Sequence, residues 1–264
     1  MNRKPKQPGR HYRTVWISDV HLGFRGCSAD YLLEFLHSFE CDTLYLVGDI
    51  IDLWQIRKRP CWPQVHNNVV RTILGKAKHG TRVIYVPGNH DDPLREYDGM
   101  VFGNVEIRRE VLHECADGQR LLVLHGDEFD AVVQCSPYLA KFGAVLYGWL
   151  IELNHVVNWM RRRLGCDYWS LAAFLKHKVK NAVQYIGNYE AAVTHAARQR
   201  DVDGVVCGHI HRAEMAQVDG LSYLNCGDWV ESCTALTEAA DGTLALVHWL
   251  TERQTDRLPL PVAA

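Results

Sequence analysis

The sequence predicts an α/β fold whose sheets are covered by helices. Three observations predict it. Strand, loop and helix alternate through the first half of the chain. The strands read as unbroken apolar runs rather than alternating ones, as expected of sheets buried on both faces. Short motifs rich in Gly, Asp and His stand at or just after strand ends, where open α/β sheets gather their ligands.

Thr14–Ile17 (TVWI) is a short apolar strand that runs into SDVH. Ala29–Phe39 carries Leu32, Leu33, Phe35, Leu36 and Phe39, the stripe of an amphipathic helix. Thr43–Val47 (TLYLV) is a second strand, ending at Gly48–Asp49. Val65–His79 reads as a helix closed by Gly80. Arg82–Val86 is a third strand, Gly103–Arg108 holds a short one, and Arg120–Leu124 ends at His125. After Asp130 the texture changes, and Tyr138–Arg163 and Leu171–Arg200 read as long helices. Strands return at Gly204–Cys207, Leu221–Cys226 and Thr243–Trp249.

The 264 residues, 47% hydrophobic and 23% charged, suit one large domain with an insertion. We place the domain at 12–264, with a helical insertion at about 136–200 and a flexible basic tail at 1–11. A net charge of −2 gives no global signal for nucleic acid. Nine cysteines, odd in number and without a C-x-x-C pair, read as reduced thiols of a cytoplasmic protein.

Five motifs follow in order: Asp19–His21 (DVH), Gly48–Asp49, Gly88–Asp91 (GNHD), His125–Asp127 (HGD) and Gly208–His211 (GHIH). Each is weak alone. Together they supply Asp19, His21, Asp49, Asn89, His125, His209 and His211 as candidate metal ligands. Asp19 and His21 are two apart, so on an extended strand end both point to one side. Asp49 has two oxygens and can bridge two cations. This mixture of carboxylate, amide and imidazole, without thiolate, suits Mn²⁺, Fe or Zn²⁺ and argues against a structural zinc site. Two divalent ions would clamp a phosphoryl group and generate hydroxide from bound water. His90 is the candidate catalytic group beside the scissile phosphate, with Asp91 to orient it. Asp52 and Asp127 are candidates to steady ligands, or simply to cap helices and turns.

The motif set D-x-H, GD, GNH[DE], H and GHxH resembles that of the calcineurin-like metallophosphoesterase superfamily, over roughly Thr14 to Trp249. The resemblance implies a four-layer αββα sandwich, into which the chain's own helical stretch at about 136–200 would be inserted as a cap. It also implies one ion on Asp19, His21, Asp49 and His211, a second on Asp49, Asn89, His125 and His209, and His90 in catalysis. LVGDIIDLW (46–54), VLHGDEFD (123–130) and YLNCGDWVESCTAL (223–236) are similar to the UDP-2,3-diacylglucosamine diphosphatase group. That implies Mn²⁺-dependent hydrolysis of the lipid-linked diphosphate, in lipid A synthesis, to UMP and an acylated sugar phosphate. Two features depart from the best-known branch: His90 stands where that branch has Arg, and Glu128–Val132 replaces its L-C-T-D-D run. The alternatives are a phosphodiesterase or phosphatase on a soluble nucleotide or other ester, a nuclease, and a non-catalytic scaffold that kept the fold.

Within the insertion, Leu139, Phe142, Val145, Leu146, Trp149, Leu150, Leu153, Val157 and Met160 fall at helical spacing. Lys141, Glu152, Asn154, His155 and Asn158 interrupt them, which rules against a bilayer span. The expectation is an amphipathic cap. Its apolar face and Arg161–Arg163 would meet acyl chains or the inner membrane surface, or else pack on the protein's own sheet.

Overall fold

The computed structural model describes residues 10–131 and 171–255, with the backbone alone for 131, 171–184 and 254–255. Two sheets form the centre. One has seven strands: β1 (Arg10–Ile17), β2 (Phe39–Val47), β3 (Arg82–Val86), β4 (Val101–Phe102), β5 (Val105–Ile107), β11 (Thr234–Glu238) and β12 (Leu244–His248). Its order is β12-β11-β1-β2-β3-β5-β4, with β1, β2, β3 and β5 parallel. The other has five strands: β6 (Val111–Glu114), β7 (Arg120–Val123), β8 (Gly204–Cys207), β9 (Glu214–Val218) and β10 (Leu221–Asn225), in the order β6-β7-β8-β10-β9.

The unbroken apolar strands are explained by burial on both faces. In β1, Val15 and Ile17 face one way and Trp16 the other, all fully buried. Val15 and Ile17 join Leu44, Leu46 and Val83 against Leu32, Phe35 and Leu36 of helix α1 (Ala29–Ser38) and Val69 and Ile73 of helix α3 (Gln64–Lys78). Trp16, Tyr45, Ile84 and Val86 meet Leu121, Val123, Val206 and Leu224 of the second sheet. Leu122, Val205 and Tyr223 are buried on that sheet's outer side. The last turns of the helix Leu171–Gln199 supply the fourth layer: Val193 and Ala197 are fully buried, and Arg198 donates to the Asp219 carbonyl at 2.9 Å. The fold is thus the α/β sandwich the sequence implied.

Compact units divide the chain into 1–127 with 193–264, and 128–192. The expected helix Tyr138–Arg163, with Trp149 and Arg161–Arg163, lies outside the described residues. So do residues 1–9. Arg10 and His11, read above as tail, belong to β1, paired with Phe39 and Glu40. β2 accordingly begins at Phe39, which ends α1 one residue early. A short helix α2 (Leu53–Lys58) and strands β6, β9 and β11 were not expected. Gly80 does follow the helix end, with φ +107, as the left-handed residue after a C-cap.

Candidate metal centre

Every motif lies in a loop leaving a strand: 18–21 after β1, 48–49 after β2, 87–91 after β3, 125–127 after β7 and 208–211 after β8. Backbone hydrogen bonds stitch these loops together. Asp19 N donates to Gly48 O at 3.1 Å, His21 N to Asp49 O at 2.8 Å, and Gly208 N to His125 O at 3.1 Å. Asp19, His21, Asp49, His209 and His211 all have positive φ, between 50° and 70°. Left-handed backbone at non-glycine residues is strained and persists where the surroundings fix it, as at ligand sites. This corrects the extended-strand argument for Asp19 and His21: they converge because both turn left-handed. Close approach also explains two motif glycines. A Cβ on Gly88 would strike the Asp49 carboxylate, and one on Gly208 would strike that of Asp19.

The side chains point into one gap. His211 Nε2 lies 3.2 Å from Asp19 Oδ1 and 3.3 Å from His21 Nε2. Asp49 Oδ2 lies 3.5 Å from His125 Nε2, 3.9 Å from His21 Nε2 and 4.0 Å from His90 Nε2. The His209 ring packs on His125 with centroids 5.3 Å apart. Three sets of ligand-type atoms share this gap: Asp19–His21–His211, Asp19–Asp49–His125 and His21–Asp49–His90.

Neighbouring groups fix each ring. His125 Nδ1 contacts the Val47 carbonyl at 3.1 Å. A carbonyl can only accept, so Nδ1 donates and Nε2 is left facing Asp49. His21 Nδ1 lies 3.1 Å from Asp52 Oδ2. Asp52 is also the N-cap of α2, accepting from Gln55 N at 2.8 Å, so one carboxylate braces the His21 ring and caps a helix.

The charges follow. Burial pushes the Asp49 carboxyl up, but His125, His90 and His21 outweigh it and hold it well below the usual range. Burial likewise opposes ionisation of Asp19, and His211 overcomes it. Burial disfavours charge on His125, yet Asp49 and then Asp19 raise it to about 10. His211 is raised against burial to about 9, chiefly by Asp19.

His90 and Asp91 part company. Asp91 does not touch His90. Its carboxylate accepts from Tyr85 Oη at 2.5 Å, Gly88 N at 2.6 Å, Ile50 N at 2.8 Å and Asp49 N at 3.3 Å. It therefore pins the GD loop to the GNHD loop. Burial and then the Asp49 charge raise its pKa, and these donors are the counterweight. The carboxylate beside His90 is Asp52, 3.0 Å from Nδ1, and Trp54 packs at a tilt against the ring, with centroids 4.3 Å apart. Asp127 steadies the site through Arg95, which reaches Asp127 Oδ1 at 2.6 Å and Pro87 O at 3.1 Å.

Sequence reasoning assigned no role to Tyr85, Trp54, Arg95 or Asp228. Asp228 accepts from Val230 N and Glu231 N at 2.7 and 2.6 Å, holding the loop whose Trp229 N bonds Asp19 O at 3.0 Å. Its signal was the GDW triplet after β10, one more strand end.

The donor set fits divalent metal. Asn89 Oδ1 is buried without a hydrogen-bond partner among the described residues, and imidazole nitrogens face one another across a gap flanked by carboxylates. No hydrogen bond satisfies the buried Asn89 oxygen, and a cation among these carboxylates and imidazoles would.

A mixed sandwich with Asp, Asn and His collected at its strand ends is the architecture of a metal-dependent hydrolase. The sequence profile of the calcineurin-like phosphoesterase family matches residues 12–213, and the chain belongs to that family. It is therefore a phosphoesterase, a class that works with divalent metal. The chain is 24% identical over 214 residues to a UDP-2,3-diacylglucosamine hydrolase of Pectobacterium carotovorum, covering 80% of this chain and 87% of that one. It is 28% identical over 216 residues to the enzyme of the same name from Bordetella pertussis, covering 78% and 81%. Among solved structures, a hypothetical protein of Pyrococcus horikoshii aligns at 12% identity and TM-score 0.45 over 95% of each chain.

Proposed function

We propose that this phosphoesterase is dinuclear and hydrolyses UDP-2,3-diacylglucosamine to UMP and an acylated sugar phosphate. The observation that carries the dinuclear reading is Asp49, whose Oδ2 is approached by His21, His90 and His125 from separate loops. Asp19, His21, Asp49 and His211 would hold one ion, and Asp49, Asn89, His125 and His209 the other. Mn²⁺ is the first choice, with Fe or Zn²⁺ as alternatives. Bound there, the pair would polarise the phosphoryl oxygens and lower the pKa of a water. The chain's own contribution is orientation. Asp52 and Trp54 hold His90, whose Nε2 is placed to stabilise charge or to protonate the leaving oxygen.

The names of the relatives support the substrate. His90 favours a second reading, a soluble nucleotide or other phosphodiester, because it restores the general superfamily pattern. A cytoplasmic place with peripheral contact at the inner membrane agrees with a lipid-linked substrate. So does a domain of 12–264 with its insertion at about 136–200 serving as a cap. No helix among the described residues is long and apolar enough to cross a membrane.

The test is incubation of the protein and Mn²⁺ with UDP-diacylglucosamine, a soluble nucleotide diester and an aryl phosphodiester, with products identified by mass. UMP from the first at the highest kcat/KM supports the proposal. Faster turnover of the soluble diester installs the second reading. Less than about one ion per chain after purification with metal supplied, together with no hydrolysis of any of the three, would mark a scaffold.

A further inference from the structure

A second feature lies beside the metal centre and takes no part in it. Arg25, Arg57, Lys58 and Arg59 are exposed, and none has an ion pair among the described residues. Two large aromatic side chains accompany them, Phe24 at 37% and Trp62 at 40% exposure. These six residues come from two loops and a helix end that the packing gathers around one hub. Gly23 is pressed against the Ile56 side chain of α2, and its N–H donates to His66 Nδ1 at 3.1 Å. Trp62 packs edge-on to the same His66 ring at 5.3 Å, and its indole N–H is anchored on Asn67 at 2.8 Å. Phe24–Arg25, the α2 terminus at Arg57–Arg59 and Trp62 therefore radiate from a single hub. The acid that acts on that hub is Asp30, at the start of α1.

We propose that this rim docks the protein on an anionic lipid surface. The charge imbalance selects an anionic partner, and each basic group near such a surface adds attraction. The two half-exposed rings favour an interface over a small dissolved anion such as free phosphate, because aromatic side chains settle in the headgroup layer and such an anion offers no apolar face to pack on. The placement is apt. Phe24 N bonds the carbonyl of His21 at 3.0 Å, and α2 is capped by Asp52, which touches His90. A lipid surface seated on this rim lies at the edge of the metal centre.

The inference rests on the peripheral membrane contact proposed above, to which it assigns a surface, and it is tested without turnover, so its failure leaves the proposed hydrolysis standing. The full-length protein is sedimented with vesicles of phosphatidylcholine alone and of phosphatidylcholine mixed with phosphatidylglycerol. Binding to the anionic vesicles only, and release by high salt, is expected. The triple variant Arg57→Gln/Lys58→Gln/Arg59→Gln should bind about a hundredfold more weakly, from roughly fivefold per basic group. Phe24→Ser/Trp62→Ser should weaken binding at high salt as well as low. All variants should keep the wild-type rate on a soluble aryl phosphodiester. Three outcomes overturn the proposal: no sedimentation of wild type with anionic vesicles, equal binding by the triple variant, or loss of binding only when Arg161–Arg163 are changed to Gln instead.

Discussion

Two buried polar clusters sit within the same sandwich, about five residues apart along β1, and use nearly the same chemistry. At one end, Asp19, Asp49, His21, His125 and His211 gather. At the other, Glu238 accepts from Arg13 at 2.5 Å, Thr14 at 2.6 Å and Ala116 N at 2.8 Å. His113 there lies 3.0 Å from Glu238 through Nε2 and 3.2 Å from Tyr45 Oη through Nδ1. Cys115 completes a trio that residue type alone would call a metal site. The difference lies in satisfaction. Around Glu238 each acceptor has donors and each imidazole nitrogen has its partner, so the cluster is closed. Around Asp49, imidazole nitrogens face one another, Asn89 Oδ1 has no hydrogen bond, and five candidate ligands sit in left-handed backbone. Ligand sites are recognised by what the protein leaves unmet and by where it accepts strain.

The largest expected effect attacks that contrast directly. Asp49→Asn removes the shared carboxylate. We expect activity to fall by about a thousandfold or more, with metal content reduced. Its circular dichroism should stay native, although loss of that buried charge should lower the melting temperature of the metal-free protein. Elemental analysis beside steady-state rates checks this, and a variant with full metal content and normal turnover would refute the bridging role. Next comes His90→Ala, which should keep its metal and slow the chemical step by roughly 10²–10⁴-fold. Asp52→Asn should cost less, about 10–100-fold, divided between metal affinity and rate, because Asp52 acts through His21 and His90. Full speed in the His90 variant would remove that residue from the chemistry.

The far cluster should answer in the opposite currency. Glu238→Gln keeps the shape but sets an amide against Arg13 and the Ala116 N–H. Folding should weaken by about 2–4 kcal/mol, the scale for disrupting a buried hydrogen-bonded charge. The rate per folded, metal-loaded molecule should not change. Urea titration followed by activity at low denaturant separates the two, and a large drop in kcat without loss of stability would erase the distinction between the ends.

The candidate ligand end was legible because metal binding would demand particular side chains at strand ends, and local strings such as GNHD and GHIH supply them. Its backbone was not legible. Asp19 and His21 read as an extended pair, and only coordinates show both at positive φ. The partner of His90 was misread for a similar reason. Asp91 adjoins it in sequence, but the turn sends that carboxylate back to Gly88 and the GD loop, leaving Asp52 to face the ring. The far cluster left no local trace, since His113 and Glu238 are 125 positions apart. It also hid a strand. Thr234, Thr237 and Glu238 are polar residues buried in β11, and an apolar-run search passes over them.

The finest test uses protons. Without metal, His125 and His211 hold their charge up to about 10 and 9, from an ordinary 6.5, because buried aspartates surround them. Metal requires neutral imidazole, so loading between about pH 7 and 9 should release up to two protons from these rings. Apparent affinity should rise about tenfold per pH unit for each. The effect on stability has the opposite sign. A raised folded-state pKa stabilises the metal-free protein fully below 6.5, and that contribution is lost as pH climbs through about 9 to 10. Asp19 and Asp49, depressed from 3.8, stabilise above that value and lose their contribution in acid. Metal-free protein should therefore unfold at lower temperature at pH 10 than at pH 6, whereas loaded protein should lack this loss. His113 should contribute nothing to the release, since burial lowers its pKa and both its nitrogens are engaged. Calorimetric titration with Mn²⁺ in two buffers of different ionisation enthalpy counts the protons. Zero net release at pH 8 would mean that the rings near Asp19 and Asp49 are already neutral, and the electrostatic contrast between the two clusters would fall with it.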